Sequence, residues 1–141
     1  MNGHLIPPGP PLHDQSYACW RGAFNKNDID KIIELGEGYP PQDAGVFNGA
    51  AGDALGGIRR TEIAWIAHDS NSDWLYKALA SYAADLNAKF FGFDLYGFVD
   101  SLQYSVYHGS TETPGHYDWH VDMGLKTAAP RKLSIVVPLS Y

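Results

Sequence analysis

HYDWHVD, residues 116–122, holds two overlapping His-x-Asp pairs, His116 with Asp118 and His120 with Asp122. Side chains alternate across a strand with a period of two. An extended conformation would put His116, Asp118, His120 and Asp122 on one face and Tyr117, Trp119 and Val121 on the other. A His and a carboxylate two residues apart then project side by side, as two ligands of one metal ion must. The mixed nitrogen and oxygen set suits a mid-first-row divalent metal, above all ferrous iron held by two His and one carboxylate. Composition alone supplies about 0.7 His-x-acid pairs in such a chain, so a single pair on a solvated strand face carries no weight. What raises this one is its apolar partners: Trp119 and Val121 are expected to pack into the core and hold the ligands rigid.

Outward from this stretch the chain divides into short elements. KLSIVVPLSY (132–141) is rich in β-branched residues and reads as a strand. DSLQYSVYHG (100–109) alternates Leu102, Tyr104 and Val106 against Gln103, Ser105 and Tyr107, a second strand. RRTEIAWIA (59–67) alternates in the same way. Between them lies SDWLYKALASYAADLNAKFFG (72–92), with Leu75, Leu79, Tyr82, Leu86 and Phe90 at helical spacing, Ser72 placed to cap the start and Gly92 to close the end. FNKNDIDKIIELGEG (24–38) predicts an earlier helix, with Asn25 as N-cap, Asp28 in the first turn and Ile29, Ile32 and Ile33 as its apolar stripe; Gly36 or Gly38 ends it. YACW (17–20) reads as a short first strand and residues 42–57 as a glycine-rich loop. Residues 1–16 form a proline-rich arm, leaving 17–141 as a single domain. The order of elements predicts an α+β fold, with helices flanking a mostly antiparallel sheet.

The bulk numbers bound the function. A chain of 141 residues, 45% apolar and 18% charged, can bury a real core. A formal charge of −6 with scattered Lys and Arg argues against nucleic acid or an anionic membrane as partner. The single Cys19 excludes an internal disulfide and any multi-cysteine metal site. No signal-peptide pattern is present, and no apolar run approaches the roughly 20 residues of a membrane span, so a reducing, cytoplasmic setting is expected.

The run from Leu102 to Tyr141, LQYSVYHGSTETPGHYDWHVDMGLKTAAPRKLSIVVPLSY, resembles the first half of the catalytic domain of iron(II)- and 2-oxoglutarate-dependent oxygenases. It is most similar to the prolyl 4-hydroxylase-like branch. There an LQ-x-x-x-Y strand leads through a variable loop to Y-x-x-H-x-D, and an R-x-L-S-x-x-x-x-L strand follows. The matching residues are Tyr107, then Tyr117, His120 and Asp122, then Arg131 to Leu139. The preceding helix-strand-helix portion, with IRRTEIAWIA (58–67) and GFDLYGF (92–98), resembles the helical support of these enzymes, so the resemblance spans residues 17–141.

That resemblance implies a partial double-stranded β-helix, a jelly-roll or cupin-like barrel, with two supporting helices. It implies iron(II) as cofactor, 2-oxoglutarate as co-substrate, ascorbate as an optional reductant, and hydroxylation of a prolyl or other amino-acid side chain on a peptide or amino-acid-like substrate. His120 and Asp122 would be iron ligands, and Tyr107 and Tyr117 would line the 2-oxoglutarate pocket; by their residue type alone both tyrosines equally suit packing between sheet and helix. Tyr117 stands three before His120, which selects His120/Asp122, whereas the spacing from Tyr107 to His116 favours His116/Asp118.

The chain also departs from the family pattern. The family takes its second His and the basic residue that clamps 2-oxoglutarate from strands after a GGE-L-like stretch. Here no histidine follows His120, and the basic residues beyond Asp122 are Lys126, Arg131 and Lys132. The expectation is a barrel lacking its C-terminal strands, binding iron weakly and inactive as it stands. His108 or His116 could complete the site, or a second copy could pair across the open sheet edge as a homodimer. Two other classes remain open: a zinc-dependent hydrolase built on His116, His120 and Asp122, with no general base in evidence, and a non-catalytic β-sheet association module. Metal identity separates the first from an oxygenase, and 2-oxoglutarate binding separates the second.

Overall fold

The structure is a computed structural model and describes residues 16–43, 59–98, 100–109, 112, 114–117, 119, 120, 122 and 131–140. The expected arm lies outside the described residues, apart from Ser16. Among the described residues the fold is α+β: two helices and a small antiparallel sheet. A closed jelly-roll is not formed by these elements.

Helix α1, Lys26–Glu37, begins where the sequence predicts. Asn25 accepts from the Asp28 amide at 3.1 Å and Asp28 accepts from the Asn25 amide at 3.2 Å, a reciprocal capping box that satisfies two otherwise orphaned donors. Ile32 is buried, and Gly36 lies so close to the Tyr104 ring that a methyl group there would overlap it. Helix α2, Asp73–Leu86, passes into a π-helical turn at Asn87–Phe91 and closes on Gly92 at φ 70°, the left-handed conformation glycine adopts without strain. Ser72 stands at the predicted N-cap but does not cap with its side chain; its hydroxyl donates to Ala67 O at 2.6 Å. Asp69 closes the turn before the helix, its carboxylate accepting from the amides of Asn71 (2.8 Å) and Ser72 (3.0 Å).

The strands are shorter than their sequence patterns. β1 (Gln42–Asp43) falls inside the predicted loop, and the predicted strand 59–67 is split by Thr61 into β2 (Arg59–Arg60) and β3 (Glu62–Ile66). β3 lies between β1 and β4 (Leu102–Val106), with Ile66 opposite Leu102 and Glu62 opposite Val106. β5 (His116–Tyr117) then pairs with β2, His116 opposite Arg60 and Tyr117 opposite Arg59. The stretch 59–66 thus serves both β4 and β5, with Thr61 between the two ladders. Thr61 marks the break by donating its hydroxyl to Val106 O at 2.7 Å, and Gly115 N donates to His108 O at 2.8 Å.

Two expected strands are absent among the described residues. Residues 17–20 have no regular structure; Trp20 instead packs its ring on Tyr82, 5.0 Å between centroids. Residues 131–140 make no ladder, although Val137 and Leu139 pack against the core of Ile32, Leu75 and Leu79. β-Branched composition marks a segment able to lie on a sheet, but a strand also needs a partner edge. No helix among the described residues is long and apolar enough to cross a membrane.

The buried Tyr76 of α2 joins helix to sheet. Its hydroxyl donates to Ile66 O (2.7 Å) and accepts from Leu102 N (3.1 Å), at the point where β3 ends and β4 begins. Tyr76→Phe leaves both backbone groups without that partner and is expected to cost about 1–3 kcal/mol. Urea unfolding should show a lower midpoint at unchanged slope. An unchanged midpoint would remove the phenol from the account of this junction.

Asp69 carries a pH dependence. The Ser72 amide first, then that of Asn71, holds its carboxyl below the usual range. The unfolded value is about 3.9, so this contribution is complete above roughly pH 4 and is lost as pH falls through the lowered folded value. Asp69→Ala should melt below wild type at neutral pH, with the gap closing under acid conditions. A gap constant from pH 7 to pH 2 would rule this out.

Candidate functional site

The strand geometry that would align all four members of HYDWHVD ends at Tyr117. Beyond it residues 119, 120 and 122 are not in a strand, so the period-two argument no longer governs which side chains meet. Trp119, expected in the core, is fully exposed. The reason is local: with no ladder to hold the backbone extended, nothing directs Trp119 toward the helices. Asp118 and Val121 lie outside the described residues.

The structure nevertheless brings His120 and Asp122 together. His120 Nε2 stands 3.2 Å from Asp122 Oδ1. The Tyr117 ring lies flat on the His120 imidazole, centroids 3.5 Å apart and planes 11° from parallel. Strict alternation would have placed residues 117 and 120 on opposite faces; the end of β5 is what lets them stack. Arg131 supports the other member, donating Nη1 to Asp122 O at 3.1 Å and Nη2 to Asp100 Oδ2 at 2.9 Å.

The donor set can be tested against a metal. Two donors bound at right angles to one first-row ion, each at about 2.1 Å, stand about 3.0 Å apart. The 3.2 Å between His120 Nε2 and Asp122 Oδ1 is close to that separation. An imidazole nitrogen and a carboxylate oxygen are also the donor types that iron(II), manganese(II) and zinc(II) share.

Two other sequence candidates meet different groups. His116 sits in β5, its Nδ1 3.3 Å from Pro114 O, and His108 faces Glu62 at 3.5 Å. Among the described residues no three His, Cys, Asp or Glu side chains gather as a metal-binding group. Tyr107 follows β4 and is 44% exposed. A hollow of about 630 Å³ opens at His68, Tyr76, Tyr96, Phe98 and Asp100, and Tyr107, Tyr117, His120 and Asp122 take no part in its wall.

Sequence reasoning missed Asp100 and saw Arg131 merely as part of a strand motif. A signal was present: DSL (100–102) and RKL (131–133) set opposite charges two residues before a leucine, at the start of two apolar segments. Nothing in one sequence, however, says that those two starts adjoin.

No family model matches the chain, and no curated protein or solved structure matches it.

The stack makes a direct prediction. His120 ring protons lying over the Tyr117 face should resonate upfield of ordinary histidine values, and Tyr117→Leu should return them downfield. Identical His120 ring shifts in the two proteins would show that the rings do not stack in solution.

Proposed function

We propose that this chain carries two of the three iron ligands of an iron(II)- and 2-oxoglutarate-dependent dioxygenase of the prolyl 4-hydroxylase-like kind, His120 supplying the imidazole and Asp122 the carboxylate. The observation that carries the reading is the 3.2 Å separation of their donor atoms, a spacing suited to adjacent positions on one ion. The motif Y-x-x-H-x-D around them supports it further, because Tyr117 occupies the tyrosine position and lies against the ligand ring. The finer fold that belongs with this reading is a partial double-stranded β-helix with α1 and α2 as its support.

Bound there, iron(II) would supply oxygen activation coupled to oxidation of 2-oxoglutarate, chemistry that no side chain performs. The chain's own part is to hold and orient. His120 and Asp122 fix one side of the ion, the Tyr117 ring keeps the imidazole from turning, and the phenols of Tyr107 and Tyr117 are the groups available to a co-substrate carboxylate. A peptide or free amino-acid side chain is the substrate class of this reading, ascorbate its optional reductant and a reducing cytoplasm its setting. With two ligands and no clamp for 2-oxoglutarate within these 141 residues, weak metal binding and no turnover are the expected behaviour of this chain by itself.

A second reading rests on a separate observation. Trp119 and Val136 are both strongly exposed, which suits an association surface for a non-catalytic module or for a second copy of the chain.

Titration with Mn²⁺, followed by paramagnetic broadening of amide resonances, distinguishes the readings because it reports weak sites by position. Broadening should centre on residues 117–122, disappear in His120→Ala and in Asp122→Ala, and persist in His116→Ala. Broadening that survives His120→Ala, or that follows His116, would overturn the assignment. Stoichiometric decarboxylation of 2-oxoglutarate by the purified chain would overturn the expectation of inactivity.

A further inference from the structure

Arg131 reaches two groups that lie far apart in sequence. One guanidinium nitrogen donates to the main-chain oxygen of Asp122 and the other to the carboxylate of Asp100, two residues before β4. A planar fork with fixed nitrogens suits such a double contact, and a lysine ammonium, a single point, does not reproduce it. Asp122 itself lies outside any strand, so no ladder fixes its backbone. Asp122 and Arg131 are nine residues apart in the chain, while Asp100 adjoins the strand that Tyr76 and Thr61 pin to β3.

From this geometry we infer that Arg131 is a positioning residue for the candidate metal pair: it anchors the backbone of Asp122 to the start of β4 and so sets where the Asp122 carboxylate stands relative to His120. The inference rests on the reading of His120 and Asp122 as ligands. Asp100 is the second half of the device, since its carboxylate holds the guanidinium in place. Arg131 is not a ligand and touches no reacting atom; it acts through Asp122. A partner that orients a ligand typically changes metal affinity by roughly 10- to 100-fold when removed.

Four variants separate this role from a purely structural ion pair. Arg131→Lys keeps the charge opposite Asp100 but loses the fork; it should melt close to wild type yet bind Mn²⁺ roughly tenfold more weakly or worse. Asp100→Asn should weaken Mn²⁺ binding in the same direction, and combining it with Arg131→Lys should add little. The exchanged pair Asp100→Arg with Arg131→Asp restores opposite charges but leaves no donor for Asp122 O, so its Mn²⁺ affinity should stay low even where its melting temperature recovers. Full Mn²⁺ affinity in Arg131→Lys, with broadening still centred on residues 117–122, would overturn the positioning role and leave the ligand assignment standing. Broadening insensitive to His120→Ala and Asp122→Ala would overturn both. Recovery of affinity by the exchanged pair would also sink the inference, because charge alone would then suffice.

Discussion

One phenol governs how this sheet meets its helices. Tyr76 projects from α2 and places its hydroxyl between Ile66 O and Leu102 N, the last rung of the β3–β4 ladder. A buried hydroxyl with a partner on both sides stabilises modestly, but an unpaired one is costly, so slippage of β4 along β3 would strand it. A slip by one residue would also turn the β4 side chains to the wrong face and lift Tyr104 from Gly36. The register is therefore fixed by a helix residue, a β-ladder and a close helix-sheet approach that agree.

The candidate site depends on that register at both ends of β4. Beyond its far end β5 pairs with β2, and Tyr117 of that strand lies on the His120 ring. Before its near end stands Asp100, which holds Arg131 and through it the Asp122 backbone. His120 and Asp122 are thus supported from opposite ends of one strand, and their side chains meet although neither residue belongs to a strand.

The elements whose stability is local were legible in the sequence. Asn25, Asp28 and Gly92 act within a few residues of themselves, so cap and closure could be read directly, as could the burial of Ile32, Leu75 and Leu79. Ser72 was misread as a side-chain cap because its hydroxyl turns back to Ala67 O instead of forward to the first amides of α2. The failures among strands share a different cause. YACW and residues 132–140 have strand composition without a ladder, and Trp119 was sent to the core by an alternation that stops at Tyr117. Periodicity describes how side chains would point if the backbone were extended; it does not say where hydrogen-bonding edges run out. Of the site, spacing offered His116/Asp118 and His120/Asp122 alike and the choice of the second pair came from the family resemblance, whereas the Arg131–Asp100 link could not be read at all, since it joins residues 31 apart through the fold alone.

The His120–Asp122 contact does not explain its own geometry. Their side chains are 33% and 47% exposed, and an ion pair in such surroundings contributes about 0–1 kcal/mol, too little to order two side chains outside regular structure. The order comes from elsewhere: an aromatic face against the imidazole and a guanidinium fork on the neighbouring backbone. Stability gives little reason to arrange such supports around a weak surface pair, because relaxing the pair into water would cost the fold almost nothing. The proposed role as metal ligands would give a reason. On that proposal, donors already held about one coordination edge apart would spare an incoming ion the entropy of gathering them.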